Sequence, residues 1–133
     1  MAAPNLVSPT TINGKTVTTS VTTAATATEI LSNAASSGKV LKVNALYIAN
    51  ADGTTALEVT VNFYTGAFSG GSPTGTAFPI TSTVSVPADA TLVVIDKDAY
   101  VYLEENRSLG ITVGASGFNS GDIQVVCSYE DIS

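Results

Sequence analysis

The chain contains no histidine and no tryptophan, a single cysteine, and only 12% charged residues. Without histidine it lacks the usual proton carrier near neutral pH, and the Ser/His/Asp and Cys/His nucleophile systems are excluded. One cysteine and no histidine cannot assemble a typical structural zinc site, and Cys127 alone cannot close an internal disulfide. Lys plus Arg total 5 and form no cluster, so the electrostatic footprint for nucleic acid is missing. A basic amphipathic segment for an anionic membrane is missing too. No stretch approaches the ~18 consecutive apolar residues of a spanning helix. The opening MAAPNLVSPTT has neither a basic n-region nor a continuous apolar h-region, so no signal peptide is expected and cytoplasmic synthesis is the default. The expectation from these gaps is a protein that is not an enzyme and binds no cofactor, no nucleic acid and no membrane.

What is present suits pleated sheets. Thr10 to Thr28 reads TTINGKTVTTSVTTAATAT, with Lys15 its one charge, and Thr, Val, Ala and Ser dominate elsewhere. Branched side chains of this kind pack well against cross-strand neighbours. With 133 residues the chain is the size of one domain. As a folded monomer it should expose roughly 6,500 Å². Asp plus Glu outnumber Lys plus Arg 11 to 5, for a net charge of −6. That charge is sparse against the ~25–35% share of a typical soluble surface. Either Thr, Ser, Asn and Gly wet the surface instead, or partner subunits cover part of it.

Residues 1–11 read as an extended arm, because Pro4 and Pro9 fix φ and withhold donors. The arm is either a frayed terminus or a segment that docks on a neighbour through Leu6 and Val7. Residues 12–133 form the domain. Strand patterns cover Lys15–Thr23, Thr26–Asn33, Lys39–Asn50, Ala56–Thr65, Phe78–Val86, Thr91–Ile95, Tyr100–Leu103, Leu109–Ala115 and Asp122–Glu130. KVLKVNALYIAN, at Lys39–Asn50, is apolar on both faces and predicts a central strand covered on both sides. Asn50-Ala51-Asp52-Gly53 is the strongest turn signal, with Gly53 free to take positive φ, and predicts a hairpin between its flanking strands. Leu57, Val59, Val61 and Phe63 alternate cleanly, as do Ile123, Val125, Cys127 and Tyr129. The first face should meet Ile123, Val125 and Cys127 across the core. The expected fold is a single all-β sandwich of about eight mostly antiparallel strands, jelly-roll-like in its winding, with an extended N-terminal arm.

The stretch VSVPADATLVVIDKDAYVYLEENRSLGITV, Val84–Val113, resembles a pattern in small all-β virion structural proteins of tailed phages, especially marine phages and cyanophages. NAASSGKVLKVNALYIANADGT, Asn33–Thr54, and the terminal CSYEDIS are similar to the same group. The resemblance implies a capsid decoration or cement subunit on the outer capsid surface, made in the host cytoplasm, with the major capsid protein as partner. The alternative it implies is a tail- or fibre-associated module that binds a host glycan or surface protein. It brings no catalytic residues. Asn106 stands where the pattern more often has Gly-Asp, so an acidic contact there does not carry over, while Asn still tolerates a left-handed turn.

Several residues remain as candidate sites. Pro4, Leu6, Val7 and Pro9 are the candidate partner interface. Phe68, Ser69 and Pro73 belong to a long aperiodic loop, Gly66–Thr76, expected to face outward. Tyr64, Phe68 and Phe78 flank that loop, either as anchors for a partner or sugar or as core at its base. Asp96, Asp98, Glu104 and Glu105 are weak metal candidates: Ca²⁺ takes oxygen ligands, and Asp98 and Glu105 could converge if their turns share one end of the sandwich. Solvated turn residues are the plainer account. Cys127, on an apolar strand face, reads as an inert core thiol. Sparse charge, a two-faced apolar strand and an arm together suggest a homo-oligomer of closed symmetry, a trimer by analogy with decoration proteins.

Overall fold

A computed structural model describes residues 4–133. Nine strands follow in order: β1 (Ile12–Ser20), β2 (Thr28–Asn33), β3 (Val40–Asn50), β4 (Leu57–Tyr64), β5 (Ala77–Val86), β6 (Thr91–Ile95), β7 (Val101–Leu103), β8 (Arg107–Val113) and β9 (Ile123–Ile132). The only helical element among the described residues is one 3-10 turn at Lys97–Ala99. One sheet, sheet A, runs β1-β9-β3-β6, with β7 beside the other half of β3. Sheet B runs β2-β8-β4-β5, and every pairing in both sheets is antiparallel.

The pairings follow from one long folded ribbon. β4 pairs β5 at its closed end, β3 pairs β6 and β7, β2 pairs β8, and β1 pairs β9 at its open end. Wrapping that ribbon adds the β3–β9 and β4–β8 pairings. This is the jelly roll among β-sandwiches. The accessible surface of 6544 Å² matches the size-based expectation.

The inner faces carry what the alternation promised. Leu57, Val59 and Val61 of sheet B and Ile123, Val125 and Cys127 of sheet A are all buried in one core cluster, with Phe63 packed at its margin. Two local features depart from expectation. β1 begins at Ile12 and ends at Ser20, because Thr11 exchanges hydrogen bonds with Ser133 at one end and Val21 leaves the ladder after bonding Ile123 at the other. The arm is not extended throughout: Val7 N–H donates to Asn5 Oδ1 (3.0 Å) and Ser8 N–H to Asn5 O (3.1 Å), which folds residues 5–8 into an Asx turn.

The expected hairpin around Asn50–Gly53 is corrected. β3 lies in sheet A and β4 in sheet B, so this turn is a corner between sheets. Gly53 is not at positive φ. Side chains shape the corner instead: Asn50 Oδ1 accepts from Asp52 N–H, and Asp52 Oδ1 accepts from Thr54 N–H and Thr55 N–H. Buried Asn50 also donates through Nδ2 to Thr55 O (2.8 Å) and to Val86 O (3.0 Å) on β5, so it ties sheet A to sheet B. Asn33 mirrors it at the β2–β3 corner, donating to Lys39 O (2.9 Å) and across to Leu103 O (3.0 Å) on β7. Each corner is thus pinned by one amide with two donors.

β3 is central but covered on one side only. Leu41, Val43, Leu46 and Ile48 are buried, whereas Tyr47 on the opposite face is 42% exposed. Irregularities at Val43/Ala45 and Leu46/Tyr47 break the two-residue period, so apolar residues fall on both sides without both sides being core.

Candidate functional site

The long loop is built, not loose. Its base closes where Thr65 N–H donates to Thr76 O (3.0 Å) and Thr76 N–H to Thr65 Oγ1 (2.8 Å). Its tip is a two-residue turn in which Ser69 and Ser72 exchange backbone hydrogen bonds around Gly70 and Gly71, with φ of 60° and 82°. Positive φ at both central residues is the type I′ hairpin turn, which glycine adopts without steric cost. Phe68, expected to face outward, is half-buried: its ring meets Tyr64 edge-on at 5.7 Å, and its N–H donates to Ser32 Oγ (3.0 Å). Gly110 makes this seat, since a Cβ there would stand 2.9 Å from both the Phe68 and Tyr64 rings. Ser69 is exposed and Pro73 half-buried, while Phe78 lies exposed on β5.

Pro4 and Pro9 are half-buried, and between them Leu6 is 47% and Val7 93% exposed. The chain then enters sheet A through hydrogen bonds from Thr10 and Thr11 to Ser133 O (2.7 and 2.9 Å). The arm therefore presents an unpaired Leu-Val tip on a fixed stem.

Among the described residues no three Asp, Glu or Cys side chains gather in a way that could hold a metal ion. Asp96 caps the 3-10 turn by accepting from Asp98 N–H (2.9 Å), and Asp96, Asp98 and Glu104 are exposed. Glu105 is half-buried, its Oε1 shielded and without a hydrogen-bond partner. Asn106 takes the left-handed conformation at φ 59°, and its side chain accepts from Ala67 N–H, tying the β7–β8 turn to the long loop. Burial pushes the Cys127 thiol up to about 12, so it has no thiolate character at neutral pH.

Two features were not anticipated from the sequence. On the outer face of sheet A a row runs Thr18–Val126–Tyr47–Val93 across β1, β9, β3 and β6. Tyr47 is 42%, Val93 51% and Val126 38% exposed. Next to the row lies a hollow of about 540 Å³ bounded by Lys42, Asn44, Ala45, Tyr47, Lys97 and Glu130, among others. Beside Lys42, Tyr100 and Tyr102 meet edge-on at 5.4 Å, with Lys42 Nζ 4.5 Å from the Tyr100 ring centre. The i, i+2 spacing of Tyr100 and Tyr102 was the signal available in sequence. The larger Tyr47 row needed the pairing.

The second feature is a charge cluster at the open end of the sandwich. Asp131 Oδ2 accepts from Lys15 Nζ (2.9 Å) and Lys39 Nζ (3.1 Å), in a recess shared with Asn33, Ser37 and Tyr129. Burial raises the Asp131 pKa, but the hydrogen bonds and charges of the two ammonium groups together outweigh it and hold the carboxyl below its ordinary value. The hydrogen bond to Asp131 likewise raises the Lys15 pKa. A depressed carboxyl stabilises the fold above its unfolded pKa and loses that contribution as pH falls through the folded value. Stability should therefore decline below about pH 4. Asp52, lowered by the N–H groups of Thr54 and Thr55, adds in the same direction. The raised Lys15 contributes below its unfolded pKa and is lost as pH rises through the folded one, above roughly pH 10.5. Thermal melts from pH 2 to 11 check this. Asp131→Asn should melt lower at pH 7 and flatten the acid limb, and an unchanged acid limb would count against the cluster.

No family model matches the chain, and no curated protein matches it. Two solved structures are similar to it. One is described by the words "Bacillus endospore appendages form a novel family of disulfide-linked pili". It is 25% identical, with 92% of this chain and 88% of that chain covered, at a TM-score of 0.45. The other is the T13 IBDV viral particle, 12% identical over 90% of this chain and 31% of that one, at a TM-score of 0.42. At TM-scores below 0.5 neither likeness assigns a function.

Proposed function

We propose that this protein is a virion structural subunit, a capsid decoration or cement protein that binds the outer capsid surface without catalysing a reaction. One observation carries the reading: a sandwich with a packed core keeps large apolar side chains in solvent, among them those of the Leu6–Val7 arm tip and of the Tyr47–Val93–Val126 face. Both suit attachment to a large protein surface, since exposed apolar patches rimmed by polar residues mark interaction sites. The resemblance of Asn33–Thr54 and Val84–Val113 to phage virion proteins supplies the partner, the major capsid protein. The mechanism is mass action: a subunit that binds only the intact shell stabilises it by an amount that grows with occupancy, and many equivalent copies reinforce one another. The tail-module alternative rested on Phe68, whose ring is engaged with Tyr64.

Deletion of residues 1–9 tests the reading, because it keeps Thr10 and Thr11 and their bonds to Ser133. Virions should carry hundreds of copies, and the truncated protein should fold normally yet leave shells that open at lower temperature. A dozen or fewer copies per virion, or hydrolase turnover by the purified protein, would sink it.

A further inference from the structure

A sheet edge with unpaired backbone groups is a template for another strand, and proteins usually guard it. Three of the four edges here are guarded. β5 carries Pro79, a Thr83 at φ 51° and two register irregularities against β4. β2 has six residues and a bulge between Glu29 and Leu31. The β6–β7 edge is broken by the 3-10 turn, with its Asp96-Lys97-Asp98 charges. β1 has none of these devices. It runs nine residues in unbroken register with β9, without proline, and its one charge, Lys15, is turned to Asp131.

The register shows which groups point away from β9 and have no strand beside them among the described residues. Thr11 and Ser133 exchange both backbone hydrogen bonds, and Val21 N–H donates to Ile123 O (3.0 Å). In an antiparallel ladder hydrogen-bonded pairs alternate with non-bonded ones. The odd-numbered residues of β1 therefore face β9, and Ile12, Gly14, Thr16, Thr18 and Ser20 turn their N–H and C=O groups outward.

We infer that this edge is a self-pairing surface, on which β1 of a second copy seats antiparallel about a two-fold axis at Thr16. In that register Ile12 faces Ser20, Gly14 faces Thr18 and Thr16 faces Thr16, so every outward N–H meets an outward C=O. Thr–Thr contacts are among the favourable cross-strand pairs. Lys15 falls opposite Val17, so no like charges oppose each other. The occupant is a copy of this chain because the register is self-complementary and because residues 10–28 carry no acidic side chain, whereas the chain as a whole has a net charge of −6. Copies that repel elsewhere can meet here. The joint makes one continuous sheet from two sheets A, with both Tyr47 faces on it. Strand pairing covers less than the ~800 Å² per partner of a standard interface, so a dissociation constant of about micromolar order is expected. The inference goes beyond the virion reading and stands without a capsid.

Light scattering and sedimentation of the full chain across a concentration series test it. The wild type should be a monomer–dimer equilibrium. Thr16→Pro removes an N–H that points to solvent in the monomer, leaves the β1–β9 ladder intact, and should weaken the dimer about 10- to 100-fold. A wild type monomeric at several hundred micromolar would overturn the proposal. So would a trimer, as the decoration-protein analogy implies, or a dimer untouched in folded Thr16→Pro. Thr16→Cys gives a second readout that does not depend on tolerating proline. A short bis-maleimide, each of whose two C=C bonds adds one thiol, should link it into dimers far faster than Ser82→Cys on β5, because the two copies of residue 16 face each other at the axis; buried Cys127 does not compete. Equal rates for the two variants would overturn it as well.

Discussion

Asn50→Leu is expected to cost about 2–4 kcal/mol although leucine is close in volume and fully apolar. Asn50 is 2% exposed and gives both amide hydrogens to carbonyls, Thr55 O at 2.8 Å and Val86 O at 3.0 Å, while its own oxygen takes Asp52 N–H at 3.0 Å. Leucine restores none of these, and the acceptors stay shielded. An unsatisfied buried polar group costs about 1–3 kcal/mol, more than an average hydrogen bond contributes. In a domain of this size the melting temperature should fall by on the order of 10 °C. Asn50→Asp separates hydrogen bonding from packing: it keeps shape and the acceptor but turns a donor into an oxygen facing two carbonyls, and should be no better than leucine. Chemical denaturation with both variants checks this. An Asn50→Leu protein as stable as the wild type would mean that the corner is not pinned by this amide.

That corner also marks where sequence reading stopped short. Alternation along Leu57–Phe63 and Ile123–Tyr129 placed both strands and both core faces, because a two-residue period is a direct consequence of the pleat. Alternation carries no statement about which sheet a strand joins, so Asn50–Gly53 passed for a hairpin turn when it is a crossing between sheets. The amides of Asn33 and Asn50 were legible as turn residues but not as clips between sheets, since Leu103 and Val86 lie 70 and 36 residues away. The bulges in β3 hid the exposed Tyr47 face, because an interrupted period looks like burial on both sides. The long loop passed for aperiodic because its order comes from Gly70, Gly71 and a contact with Gly110 on another strand. The prolines of the arm argued for an extended segment, and the Asx turn that folds residues 5–8 was not foreseen; residues 1–3 lie outside the described residues.

Leu46 and Tyr47 are neighbours in sequence and should respond oppositely to the same truncation. Leu46 is fully buried, opposite Cys127 on one side and Ile95 on the other, in the middle of sheet A's inner face. Leu46→Ala leaves a cavity that close-packed strands cannot collapse, and should cost about 2–5 kcal/mol. Tyr47 is on the outer face between Val126 and Val93, and it closes no core. Tyr47→Ala loses strand propensity and two cross-strand contacts, for a cost of about 1 kcal/mol. The same substitution removes the largest side chain of the proposed attachment face, so attachment to shells should weaken while the fold survives. Paired melts and shell-binding measurements on the two variants give four outcomes in one experiment. Equal destabilisation would mean that the Tyr47 face is already covered in the isolated protein. Full shell binding by Tyr47→Ala would remove that face from the attachment surface and leave the Leu6–Val7 tip to carry it alone.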